Sequence, residues 1–356
     1  MDDCRAGFIM ALLFWSFIFS SGYYSILLTA LLLGSVLTAV YHSEVLAQQL
    51  GEPFGTLLLA FAITVIEVGL IISIMLGAKG LETITLARDT VFAAVMLILN
   101  GIIGICIVIG SIRYREQSFT LKGVSTALIT LTAVVVFVLI LPNYTVSHKG
   151  GEYTSFQLFF IALLCLALYL GFTMVQTIRH RSFFISPSDK AKEKTMKDDG
   201  KIKVSRKNMY ISSFILIVSL GVVVLMAKLL SKDVEYLVVA VGAPRSAVGV
   251  IIAGIVLLPE ALAAVRAAKN DRIQTSLNLA FGSALASIGL SIPAIAIISV
   301  FSGIRMTLGI DIKSTVLLGL SLFIITISLA TGKTNIMQGV VLIGIFMIYL
   351  FITIVP

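Results

Sequence analysis

Along this chain the apolar residues come in runs of span length, separated by short clusters of charged, glycine and turn-forming residues. The runs cover 7 to 20, 23 to 41, 54 to 76, 89 to 111, 121 to 141, 156 to 178, 210 to 229, 245 to 266, 274 to 300, 314 to 331 and 336 to 355. A helix crossing the hydrocarbon core of a bilayer takes ~20 apolar residues. The pattern therefore predicts an all-α polytopic membrane protein with about eleven transmembrane helices. The first run is short and is followed by Ser20-Ser21-Gly22, as in a signal peptide. Asp2 and Asp3 beside only Arg5 make a poor positive leader, so it is read as a retained N-terminal helix.

Composition agrees with insertion. With 58% hydrophobic and 12% charged residues, the 356-residue chain has too few charges to clothe a soluble surface. The net charge of +8 does not mark a nucleic-acid binder, because ten of the 26 Lys and Arg fall between Arg179 and Lys207, interleaved with Asp189, Glu193, Asp198 and Asp199. That stretch reads as a basic, mixed-charge cytoplasmic linker. Cys4, Cys106 and Cys165 are scattered, and His42, His148 and His180 lie at span ends or in loops, so no disulfide frame or zinc site is expected. Positively charged loops stay cytoplasmic. Placing the linker inside puts Arg5, the loop with Arg113, Arg115 and Lys122, the loop with Arg266, Lys269 and Arg272, and Lys333 inside with it, 18 of the 26 basic residues. The N-terminus is then cytoplasmic.

Setting aside the first helix leaves five spans on each side of the linker. An odd number of spans per unit forces the two units into opposite orientations, the arithmetic of an inverted repeat. The expected organisation is 1–22 as a short membrane helix, 23–178 as the first five-helix repeat, 179–209 as linker and 210–356 as the second repeat. Gly51-Glu52-Pro53 and Gly242-Ala243-Pro244 precede the second span of each unit, and each of those spans carries one central glutamate.

Of the 18 Asp and Glu, only Glu67 and Glu260 sit well inside a span. A charge near the bilayer centre costs at least ~2.5 to 3.5 kcal/mol on insertion scales, so such residues face a cavity or a partner and mark ion and proton paths. Antiparallel spans let both carboxylates meet near the midplane. Two carboxylates suit a hard divalent cation such as Ca²⁺. Without the cation, mutual repulsion and removal from water favour protonation, so one site holds either an ion or protons. Thr64, one turn before Glu67, offers a further oxygen, and Pro259 beside Glu260 frees a backbone carbonyl. The bland alternative makes each glutamate a hydrogen-bonded packing residue. The following spans begin after Arg88-Asp89 and Asp271-Arg272 and contain Asn100-Gly101 in one unit and Asn278, Gly282, Ser283, Ser287 and Ser291 in the other. These residues could complete an oxygen shell, and Asn100, Ser283 and Ser287 join Thr64 as the candidate supporting ligands, against the alternative of close helix packing through small residues.

The strings GEPFGTLLLAFAITVIEV from Gly51, LPEALAAVRAAKNDRIQTSLNLAFGSALASIGLSIP from Leu258 and TGKTNIMQG from Thr331 resemble the bacterial ChaA-type calcium/proton and sodium/proton antiporters. The resemblance covers nearly the whole chain beyond the first helix. It implies the calcium/cation antiporter superfamily, ten core helices in two inverted repeats, and an acidic residue in each repeat carrying the ion, here Glu67 and Glu260. The superfamily's G-N-x-x-E pattern is absent: the stretches read Ile63-Thr64-Val65-Ile66-Glu67 and Val256-Leu257-Leu258-Pro259-Glu260. The resemblance also implies a bacterial inner membrane.

The expected function is a secondary antiporter that exports Ca²⁺ against protons by alternating access, with Na⁺ or K⁺ as the alternative cation and a cation channel as the alternative of another class. No enzyme activity and no cofactor are expected. The partners are Ca²⁺ or another cation, protons and the lipid bilayer, not nucleic acid; a homo-oligomer is left open. Thr331-Gly332-Lys333-Thr334 is not a phosphate loop, since Ile327 stands where its first glycine belongs.

Overall fold

A computed structural model gives the fold over residues 22–50, 85–147, 150–185, 206–240, 246–302 and 306–355, together with positions 58, 61, 62, 64–69 and 71. The run at 7 to 20 and linker residues 186–205 lie outside the described residues. In chain order the helices are α1 (Gly22–Leu50), α2 (Leu86–Met96), α3 (Ile103–Tyr114), α4 (Leu121–Val135), α5 (Ser155–Met174), α6 (Arg206–Ala240), α7 (Ser246–Val256), α8 (Leu258–Lys269), α9 (Ile273–Ser302), α10 (Ile312–Leu329) and α11 (Ile336–Ile354). Within the expected span 54 to 76, every described position is helical. Two-residue strands β1 (Gln117–Ser118) and β2 (Lys333–Thr334) pair antiparallel.

The fold is thus the all-α membrane architecture the apolar runs predict. Lipid offers no partner for backbone N–H and C=O groups, so a spanning segment must satisfy them within a helix. Polar caps mark where several helices start. Thr154 and Gln157 form a capping box on α5, Asn335 and Gln338 form one on α11, and Asp311 accepts from the Ser314 amide at the head of α10. A π-helical segment, Leu97–Ile102, joins α2 to α3 within one apolar span. Helix α6 has 35 residues. At 1.5 Å per residue it reaches roughly 50 Å, well beyond the ~30 Å hydrocarbon core.

One expected span is broken. The run at 245 to 266 folds as α7 and α8, bent by 55° at Leu257. Pro259 causes the break, because it has no N–H for the carbonyl four residues earlier and its ring collides with that carbonyl.

The loops sort into two ends. At one end β1 pairs with β2, Gln117 Nε2 donates to the Ala268 carbonyl (3.1 Å) and to Asp271 (2.9 Å), Tyr114 donates to the Lys269 carbonyl, and Lys333 meets Glu116 at 3.3 Å. Lys122 lies over the Phe183 ring. These are the loops rich in Lys and Arg. At the other end Arg88 donates to the Gly309 carbonyl, Asn143 to that of Ile310, and Glu152 bridges to Thr307.

Among the described residues two apolar cores form. The larger draws on α2 to α5 and α8 to α11, including Phe281, Leu131 and Ile325. The smaller gathers Leu28, Leu32 and Val36 of α1, Ile66 and Ile71, and Leu216 and Val223 of α6. Helices α3 and α11 cross closely at Gly104 and Gly339; an ideal Cβ on Gly339 would lie 2.8 Å from the Gly104 carbonyl oxygen. Only glycine permits that approach.

Candidate functional site

Glu67 lies where the two cores meet. On the helical stretch 64–69, Ile66 belongs to the smaller core, and rotation by one residue turns Glu67 toward α9, whose Leu285, Ile288 and Ile292 belong to the larger one. Glu67 is 2% exposed. Ser287 Oγ donates to Oε1 at 2.7 Å and reaches Oε2 at 2.8 Å, and Ser291 Oγ donates to Oε2 at 2.9 Å. The two serines are four residues apart, so α9 presents both hydroxyls on one face. Hydroxyl bonds to an ionised carboxylate are short and about twice as strong as neutral ones. Each serine oxygen also keeps lone pairs, so a rotated hydroxyl can turn from donor toward a cation. Thr64, buried three residues before Glu67, lies on the same side of its helix.

Glu260 stands in the first turn of α8, immediately after Pro259. Both of its carboxylate oxygens are buried. The break at Leu257 is what puts it there: a helix N-terminus carries a partial positive charge that favours a carboxylate, and a continuous span would offer none at this depth. Helix α8 packs along α9, the helix that bonds Glu67. Ser283, one turn before Ser287 on α9, has a buried hydroxyl with no hydrogen-bond partner among the described residues. Its oxygen is open to a further ligand.

The structure brings Ser287 to Glu67 together with Ser291, which the sequence offers for an oxygen shell but not among the preferred ligands. The four-residue spacing of Ser283, Ser287 and Ser291 is the signal that would have singled it out. Asn100 differs from expectation. Its amide donates to Ser321 Oγ of α10 at 2.9 Å and to the Met96 carbonyl at 3.4 Å, and these bonds involve neither glutamate. The π-helical turn that carries it packs against α10 and α11 as well as α8 and α9. Ser321, fully buried, could not be found from sequence because its partner lies 221 residues away. Asn278 is not part of an oxygen shell either: it bonds the Phe184 carbonyl and Gln274. It precedes Ser287 by nine residues, about 13 Å along the helix.

The charged pairs before these spans make contacts of their own away from Glu67. Arg88 Nη2 meets Asp89 Oδ1 at 2.8 Å, and Thr85 donates to Oδ2. Asp271 adopts φ 57° and accepts from Gln117. Lys333 and Thr334 of the would-be phosphate loop are in β2. Cys106 and Cys165 are buried free thiols. Among the described residues no group of three or more His, Cys, Asp and Glu converges.

Comparison with known proteins gives a concordant family. The family model described as sodium/calcium exchanger protein matches residues 20–178 and 211–355. The chain is 44% identical over 327 residues to "Putative ionic transporter y4hA" of Sinorhizobium fredii, covering 92% of this chain and 87% of that protein. It is 31% identical over 319 residues to "Sodium-potassium/proton antiporter ChaA" of Escherichia coli, covering 90% and 85%. Among solved structures, native YfkE superposes with a TM-score of 0.71 at 19% identity, covering 99% of this chain and 98% of that one.

Proposed function

Because this chain belongs to the sodium/calcium exchanger protein family, on its ChaA-type branch, we propose that it exchanges a cation for protons across a membrane, with Glu67 and Glu260 as the carboxylates that carry them. The observation that carries the reading is Glu67: a buried carboxylate, held by two serine hydroxyls of α9, at the seam between two apolar cores. A carboxylate so far from water must be neutralised, by a cation or by a proton. Whichever is bound excludes the other, and exclusive occupancy of one site is what couples two fluxes.

Alternating access follows from the position. A site at a seam opens to one side or the other as the two packed bodies shift, without either core being dissolved. The units 23–178 and 210–356 are proposed as inverted repeats, with the basic linker and the Lys- and Arg-rich end of the bundle cytoplasmic. A bacterial inner membrane suits that charge distribution.

Ca²⁺ is the cargo that two carboxylates suit, because two negative charges balance it and oxygen ligands match it. A monovalent reading is favoured by the 31% identical relative, which is named for sodium, potassium and protons. Proteoliposomes carrying an internal pH dye and an imposed pH gradient separate the readings. Proton movement triggered by Ca²⁺ and lost in both Glu67→Gln and Glu260→Gln supports calcium/proton exchange. A response to Na⁺ or K⁺ alone reassigns the ion. Cation flux with no proton coupling would overturn exchange in favour of a channel.

A further inference from the structure

A cavity of about 330 Å³ lies at the end of the bundle away from the Lys- and Arg-rich loops. That volume falls in the range of small-molecule pockets, ~300 to 1,000 Å³. It is enclosed by the first turns of α2, the head of α10 and the last turns of α11. Its floor is apolar, with Phe92 and Tyr349 packed edge to face at 5.4 Å. Its rim carries two charges of each sign: Arg88 and Lys313, Asp89 and Asp311. Arg88 and Asp89 hold each other, and Asp311 caps α10, so these three are fixed in place. Lys313 is exposed, and no ion pair to it occurs among the described residues.

We propose that this cavity binds the headgroup of a phospholipid bearing both a phosphate and a primary ammonium, that is, a phosphatidylethanolamine. Three features select that class. The cavity sits at the ends of membrane helices, at the depth where headgroups lie, and α10 and α11 present exposed Val316, Phe323, Ile348 and Phe351 as acyl-facing surface. The rim charges sum to zero with both signs present, which matches a zwitterion and opposes a purely anionic lipid. Lys313 and Arg88 offer donors to a phosphate, while Asp89 and Asp311 accept from an ammonium.

The site is remote in kind from the glutamates, yet it rests on the same helix packing. An ideal Cβ on Gly249 of α7 would meet the Asp89 carbonyl carbon at 2.8 Å, so the turn of α2 that lines the cavity is the turn on which α7 rests. A bound headgroup therefore braces α2 against the helix that leads into the Pro259 break.

Native mass spectrometry of the full chain in nanodiscs, with mixtures of phosphatidylethanolamine, its N-methyl and N,N-dimethyl derivatives and phosphatidylcholine, reads retention directly. Methylation strips N–H donors while leaving the phosphate and the charge. Retention should fall stepwise along the series, by about tenfold in all, the equivalent of one charge-assisted hydrogen bond. Lys313→Ala should lower retention of every member about equally, and Ile352→Trp, which fills the cavity, should abolish it. Equal retention of phosphatidylethanolamine and phosphatidylcholine, or retention indifferent to both substitutions, overturns the proposal. Since the readout is bound lipid, the result stands whatever ion the transporter carries.

Discussion

Ser287→Ala is the substitution that the geometry makes most informative. The Ser287 hydroxyl lies within hydrogen-bond distance of both Glu67 oxygens, at 2.7 and 2.8 Å, whereas Ser291 reaches only one, at 2.9 Å. A hydrogen bond to a charged group contributes about 1.5 to 3 kcal/mol, and here it stabilises the form of Glu67 that binds a cation. The same hydroxyl oxygen is a ready neutral ligand, so its loss acts in the same direction twice. The cation concentration for half-maximal exchange should rise by roughly 10- to 100-fold at fixed pH. Ser291→Ala should act in the same sense but less, because its hydroxyl reaches only one oxygen and at the longer distance of 2.9 Å. The assay is proton flux in proteoliposomes titrated with the transported cation at constant internal and external pH. Ser to Ala removes one small buried oxygen and leaves the helix intact, so the maximal rate reports that the protein is inserted. An unchanged half-maximal concentration in Ser287→Ala, or a larger effect of Ser291→Ala, would refute this account of how Glu67 is held.

Three further outcomes test the packing around the site. Gly339→Val should destabilise the protein by about 1 to 3 kcal/mol, seen as a lower melting temperature in detergent, because the new side chain meets the backbone of Gly104 and Val108, which cannot rotate away. Gly344→Val, where a Cβ meets nothing within 4 Å, should leave it unchanged. Gln117→Ala removes the bonds to Ala268 and Asp271 and should cost a similar ~1 to 3 kcal/mol, with faster hydrogen exchange at the end of α8. Single cysteines at Lys269 and Lys333, in a chain whose other cysteines are replaced, should label from the same side of the membrane, and one at Lys313 from the opposite side; labelling of all three from one side would contradict the arrangement of the loops.

Part of this architecture is legible in the chain itself. The length of each apolar run, against the thickness of a bilayer, determines where helices lie, since a lipid-embedded backbone has no other way to satisfy its hydrogen bonds. The same argument singles out Glu67 and Glu260, because an ionisable group in that setting is too costly to keep without a use. The distribution of Lys and Arg indicates which loops share an end, and the contacts among residues 114–122, 268–274 and 333–334 agree.

The rest depends on neighbours distant in sequence. Proline beside Glu260 accounts for the break, but which helices the two halves meet, α7 on α2 and α8 on α9, is not written in the chain around it. Asn100 and Ser287 look alike as candidate ligands, since each is a small polar residue in the span following a glutamate. One faces Ser321 and the other faces Glu67, and the difference is a rotation about the helix axis set by tertiary contacts. Helical periodicity tells which residues share a face; in an almost uniformly apolar span it does not tell which face meets which partner. The sequence alone thus determined the class of protein, most of its described spans and its two mid-span glutamates, through the energetics of the bilayer. Only the tertiary structure decided which oxygens surround Glu67, because those partners come from a helix more than two hundred residues away, brought there by the packing of two cores.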